Sequence, residues 1–116
     1  MKYALLIYND PESYGRGEEE QRRITSGIDD VLARPSVTDW LPLRNVESAT
    51  TVRYEAGKTL LTDGPFIDSK DYLGGFIVVE AENLDGAIAI AGELQELRGA
   101  SAIEVRPVME ELLNRA

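Results

Sequence analysis

Two segments of this chain are apolar on both sides of an extended strand, yet only two longer segments carry a helical period. In residues 3–8, Tyr3, Leu5 and Ile7 point one way and Ala4, Leu6 and Tyr8 the other. Residues 75–81 (Gly-Phe-Ile-Val-Val-Glu-Ala) are apolar on both faces for most of their length. Strands of this kind have both faces covered. Two helices packed on one antiparallel sheet cover one face and leave the other to be met by something else. A second copy of the chain, sheet against sheet, is the simplest cover, so the pattern predicts a homodimer.

The first helix is expected over residues 18–34. Glu18, Glu19 and Glu20 stand in its first turn, where carboxylates suit the positive end of the helix dipole. Ile24, Ile28, Val31 and Leu32 form its apolar stripe, and Pro35 stops it. Gly27 inside it costs roughly 1 kcal/mol of helix propensity relative to alanine. The second is expected over residues 84–97, with Leu84, Ala87, Ile88, Ala91, Leu94 and Leu97 as its stripe. Asn83 suits its N-cap and Gly99 its C-terminal stop.

Between the helices, residues 40–43 read as a weaker strand, with Pro42 pointing to an edge or a bulge. Residues 50–54 and 59–62 read as a hairpin joined through Glu55-Ala56-Gly57-Lys58. Residues 102–107 alternate Ile103 and Val105 inward with Glu104 and Arg106 outward. Met109, Leu112 and Leu113 suggest one or two helical turns in the tail, 108–116. With the hairpin set aside the order is βαββαβ, which defines an α+β, ferredoxin-like antiparallel sheet with an inserted β-hairpin. At 116 residues, 1–116 is expected to be a single domain.

Composition narrows the chemistry. The chain has no cysteine and no histidine. Disulfides, thiolate nucleophiles, Ser-His-Asp and Cys-His arrangements and His- or Cys-based metal sites are therefore impossible. Any proton transfer near neutral pH falls to a perturbed carboxylate, tyrosine or lysine. The net charge of -9 opposes binding to nucleic acid or to an anionic membrane surface. The opening apolar run is too brief for a signal-peptide core, and no window reaches a membrane-spanning length, so the expectation is a cytoplasmic protein. Gly15-Arg16-Gly17 begins a glycine pattern, but Glu20 stands where a third glycine belongs and no strand immediately precedes it, so it is not a dinucleotide fingerprint. Asp68-Ser69-Lys70-Asp71 lacks the ligand spacing of a calcium loop. No cofactor and no metal are expected.

Taken together, several motifs resemble the YCII-related family, in particular its DGPF-domain branch. They are the opening Lys2 to Tyr8, Asp63-Gly64-Pro65-Phe66, Asp68-Ser69-Lys70, Leu73-Gly74-Gly75-Phe76, Leu84-Asp85-Gly86-Ala87 and Glu104-Val105-Arg106-Pro107-Val108. The resemblance spans nearly the whole chain. It implies a ferredoxin-like fold assembled as a dimer of the α-β barrel type. It implies little about activity, because the family is largely of unknown function. Catalysis in the wider group has been linked to a histidine–aspartate pair. Asp63 matches the aspartate, and the histidine has no counterpart here. DGPF proteins are also associated with extracytoplasmic-function sigma-factor signalling.

Asp63 is the first candidate for a functional residue, as hydrogen-bond acceptor or base where a strand meets a tight turn. Its alternative role is to bond the backbone of its own turn. Lys70 is expected either to pair with Asp63 or hold an anionic ligand, or else to be a solvated loop charge. Arg106 and Arg53 are candidates for a carboxylate or phosphate, with ion pairing to Glu104, Glu80 or another acidic neighbour as the alternative. Tyr8, Asn9 and Asp10 sit at the rim of the first strand, where Tyr8 could donate a hydrogen bond or line a cavity. Gly74 and Gly75 let the backbone pass closely beneath a ligand or Trp40. These residues favour a binding protein for a small polar or anionic molecule near the Asp63 turn. The alternatives are a histidine-free small-molecule enzyme using Asp63, and a regulatory or protein-interaction module presenting the hairpin.

Overall fold

The first strand runs Lys2–Asn9 (β1) and lies in the middle of the main sheet. The computed structural model describes residues 1–10 and 17–113, with Glu18 described by its backbone alone. Expectations resting on residues 11–16, on the Glu18 side chain and on 114–116 fall outside those bounds. After β1 come α1 (Glu18–Leu32), β2 (Val37–Pro42), β3 (Thr50–Glu55), β4 (Lys58–Asp63), β5 (Tyr72–Glu80), α2 (Leu84–Arg98), β6 (Ile103–Pro107) and α3 (Glu110–Leu113). A single 3-10 turn, Val46–Ser48, precedes β3. No helix among the described residues is long and apolar enough to cross a membrane.

The main sheet has the order β2-β5-β1-β6, and every pairing in it is antiparallel. β3 and β4 form a separate two-stranded antiparallel sheet. The described residues thus form an α+β fold with antiparallel sheets and three α-helices. Pro42 sits on an edge strand, as its missing N–H requires. That strand begins at Val37, three residues before the stretch expected from the sequence, because Val37, Asp39 and Trp40 continue the register opposite β5. β5 likewise starts earlier than expected, at Tyr72. A register shift after Ile7 moves the β1 partner from Gly75 to Leu73 and leaves Gly74 as the extra residue.

Alternation decides the core. Tyr3, Leu5 and Ile7 are buried, paired in register with Val79, Ile77 and Gly75. Val31 of α1 and Ala87, Ala91 and Leu94 of α2 close over them, with Ile28, Leu32, Ile90, Leu97, Ile103 and Val105 packed around the edge. The α1 stripe matches expectation at Ile28, Val31 and Leu32, while Ile24 is half-buried outside the core cluster. The α2 stripe is displaced: its buried line runs through Ala87, Ile90, Ala91, Leu94 and Leu97, while Leu84 and Ile88 stand on the shoulder, 46% and 48% exposed. Asn83 accepts the Gly86 N–H at 3.0 Å, and Gly99 ends α2 at φ 67°, so both expected caps form.

Gly27 has a packing reason that helix propensity does not show. A Cβ there would lie 2.8 Å from Leu97 Cδ2, so Gly27 leaves room for the end of the Leu97 side chain where α1 meets α2.

Neither long helix lies on the sheet's other face. Ala4, Leu6, Phe76 and Val78 are half-buried there, and Leu41 beside them is exposed. The molecule's shortest extent, 19 Å, matches one sheet plus one helix layer at about 10 Å each. The radius of gyration is 16.5 Å, against about 13 Å for a compact chain of this length. The β3–β4 hairpin forms its own sheet apart from the main one. It turns through Ala56 and Gly57, at φ 50° and 77°, as a two-residue mirror-image turn. Val52, Tyr54 and Leu61 on it are all more than 60% exposed.

Candidate functional site

Asp63 is the last residue of β4 and faces Thr50 across the hairpin. The turn that follows is held by other groups. The Gly64 N–H donates to the Ala49 carbonyl at 2.8 Å, and Thr51 Oγ1 donates to the Gly64 carbonyl at 2.7 Å. Gly64 has φ 101°, a left-handed value suited to glycine. The Asp63 carboxylate is exposed and accepts no hydrogen bond among the described residues, so its alternative role of bonding its own turn is not what holds the turn. Beside the turn, Thr51, Arg53, Thr62, Pro65 and Phe66 line an open depression of about 210 Å³. Arg53 lies 3.6 Å from Glu55, two residues along its own strand rather than across to a neighbouring one.

The loop leading to β5 holds Asp68 and Lys70, both exposed. Asp63 and Lys70 form no ion pair with each other among the described residues, so the expected pairing is absent. Asp71 accepts a 2.7 Å hydrogen bond from Ser101, tying this loop to the α2–β6 connection.

Arg106 stands on β6, opposite Ala4 of β1, and bonds Glu104. That hydrogen bond, reinforced by the charge of Glu104, raises the guanidinium pKa above its ordinary value. The strand spacing of two residues places both side chains on the open face of the sheet. Of the roles weighed for Arg106, ion pairing is the one the structure displays. Glu80 is engaged elsewhere, with the Met1 amino group at 3.1 Å and Lys2 at 3.3 Å.

At the end of β1 the structure brings together residues that the sequence does not connect. Arg98, in the last turn of α2, reaches back to the Tyr8 carbonyl and donates to Asn9 Oδ1 at 3.0 Å. Its other terminal nitrogen donates to Gln95 Oε1 at 2.7 Å and to the Ala102 carbonyl at 3.4 Å. The Tyr8 N–H donates to the same Ala102 carbonyl at 3.0 Å. Asp10, next along, is buried. Sequence reasoning missed Arg98, because a basic residue before a helix-ending glycine looks like a charge serving the helix dipole.

Gly74 and Gly75 separate into two tasks. A Cβ on Gly75 would stand 2.6 Å from the Leu41 carbonyl oxygen and 3.1 Å from Trp40, so Gly75 serves the packing of β2. A Cβ on Gly74 would fall 1.9 Å from Asn9 Nδ2. The sites named from the sequence therefore fall into three places. Asp63 lies at the hairpin base and Lys70 in the loop, while the Tyr8 side chain is close enough to Arg106 to act on its charge and only the Tyr8 backbone joins the Arg98 cluster. No cluster of acidic side chains suited to a metal occurs among the described residues.

The fold defines a small α+β protein with a four-stranded antiparallel sheet, two long helices on one face and an exposed hairpin. The chain belongs to the YCII-related domain family, whose model matches residues 1–111. It is also similar to an uncharacterized protein of Rhizobium meliloti (strain 1021). The two are 32% identical over 114 residues, which span 93% of this chain and 92% of that one.

Proposed function

We propose that the protein is a non-catalytic homodimer that binds a small polar or anionic molecule beside the Asp63-Gly64-Pro65-Phe66 turn. The observation that carries the dimer is the open sheet face, where Ala4, Leu6, Phe76 and Val78 are only half-buried and neither long helix lies over them, while their strand neighbours form the core. Two such faces packed together give the missing third layer, and the ferredoxin-like frame with its inserted hairpin then becomes half of a dimeric α-β barrel. The chain's Asp63 to Phe66 motif and its Leu73 to Phe76 continuation support the DGPF branch of the family. The depression beside the turn offers Arg53 and the Thr62 hydroxyl to an anion, the Thr51 hydrogen being given to the Gly64 carbonyl, which supports ligand binding there. The lack of histidine supports binding over catalysis.

Sedimentation velocity at micromolar concentration tests the assembly. The wild type should run as a dimer and Phe76→Lys as a folded monomer; a monomeric wild type refutes the reading. For the ligand, inorganic phosphate should raise the melting temperature of the wild type but not of Arg53→Gln. Equal shifts in the two proteins would dismiss the turn as an anion site.

A further inference from the structure

We propose that the space between the sheet and the two long helices is a separate binding site. It suits a small, uncharged, largely apolar molecule that carries one hydrogen-bond acceptor. A cavity of about 310 Å³ lies there, bounded by Ile7, Ile28, Leu32, Trp40, Ile77 and Leu94. Protein cores are close-packed and hold few voids larger than a water molecule. This cavity is at the small end of the ligand-pocket range, about 300–1,000 Å³. Its walls include Ile77 and Leu94, among the least exposed residues of the molecule, so it penetrates the core.

One end of the cavity is polar, formed by Asn9 and Arg98. A guanidinium donates hydrogen bonds and cannot accept them. The Asn9 atom facing Arg98 is therefore its oxygen, which sends the amide nitrogen the other way. That nitrogen lies over Gly74, in the place a Cβ would take, and Gly74 and Asn9 share the cavity wall. Nothing among the described residues accepts its hydrogens, and it is not sealed from solvent. Arg98 thus orients a donor toward the cavity while its four terminal hydrogens serve Tyr8, Asn9, Gln95 and Ala102. Apolar walls with one aimed donor select a neutral acceptor such as a ketone, because a carboxylate would lose its hydration there with the Arg98 hydrogens already engaged.

This site lies apart from the Asp63 turn and from the open sheet face, so its test is independent of the function proposed above. The chain has one tryptophan, Trp40, and it lines the cavity, so its fluorescence reports occupancy. Three probes of similar shape separate the ligand classes: acetophenone, ethylbenzene and benzoate. Acetophenone should change Trp40 emission saturably and bind about tenfold more tightly than ethylbenzene, the factor one aimed hydrogen bond supplies. Benzoate should bind most weakly. In Asn9→Asp an oxygen still faces Arg98 but the second donor is gone, and the preference for the ketone should disappear. Leu43→Phe, which fills the cavity from its exposed rim, should weaken acetophenone at least tenfold with the circular dichroism spectrum unchanged. The proposal is overturned by no saturable change with any probe, or by equal binding of ketone and hydrocarbon. It is equally overturned by tightest binding of benzoate, or by a ketone preference that survives Asn9→Asp.

Discussion

Replacing Gly75 with alanine sets a methyl group against the backbone of the neighbouring strand. The new Cβ would stand 2.6 Å from the Leu41 carbonyl oxygen, against 3.4 Å for ordinary contact, a shortfall of 3.4 − 2.6 = 0.8 Å. The obstacle is main chain, so no rotamer change relieves it, and β2 must move away from β5. A bodily shift of that size stretches the adjoining Leu43 N–H to Gly74 carbonyl bond from 2.9 Å to about 3.7 Å, beyond hydrogen-bonding range. Overpacking of this kind costs about 1–3 kcal/mol, and the lost hydrogen bond adds roughly 1 kcal/mol. The expected destabilisation is about 2–4 kcal/mol, or a fall in melting temperature of roughly 8–16 °C at about 4 °C per kcal/mol. Calorimetry measures it directly, and urea unfolding with an unchanged m-value confirms the same two states. Gly74→Ala is the comparison: its Cβ meets the end of the Asn9 side chain, which can rotate away at the expense of the Arg98 contact. If Gly75→Ala melts within 2 °C of the wild type, the account of how β2 seats on β5 is wrong.

Two further outcomes are expected. Ala56→Asn places a residue tolerant of positive φ in the hairpin turn. It should strengthen the hairpin by about 0.5–1 kcal/mol, slowing amide exchange in β3 and β4 but leaving β1 and β5 unaffected; slowed exchange in the main sheet would contradict the hairpin's separateness. The Glu80 carboxyl is held below its ordinary value of 4.5, first by the hydrogen bond from the Met1 amino group and then by Lys2. A depressed carboxylate stabilises the folded state above its unfolded pKa, and that contribution fades as pH falls through the folded value. The stability difference between wild type and Glu80→Gln should therefore shrink below about pH 4.5 and with added salt. A difference that grows on acidification would reverse the assignment.

The fold was legible where the sequence carries a period. The alternation in residues 3–8 foretold which residues share a face of β1, though not which face the helices cover, and Ile28, Val31 and Leu32 of the expected stripe mark the inner face of α1. Asn83, Gly99 and the Ala56-Gly57 turn declared themselves by local chemistry. The same local signals misplaced the start of β2, because Val37 to Asp39 read as polar connection until the β5 register claims them. Gly27 looked like a defect for want of any view of Leu97. The site was less legible still. Asp63 stood out by its motif, but a motif does not say whether a carboxylate faces a cavity or solvent. Arg98 and Asn9 are 89 positions apart and acquire meaning only when α2 folds back beside β1.

The place of β1 between β5 and β6 sets a schedule for synthesis. Its first hydrogen-bonding partner in the main sheet, β5, begins at Tyr72, and its second, β6, at Ile103. At about 5–20 residues per second, roughly 3–13 s separate the making of Asn9 from that of Tyr72. Through that interval this largely apolar strand has no partner in the main sheet, and of the core residues only those of α1 are available to shield Leu5 and Ile7. The guanidinium that fixes the end of β1 comes later again. The chain's first strand is thus among the last to be secured, so this small protein completes its core by a distant closure rather than by growth from its beginning.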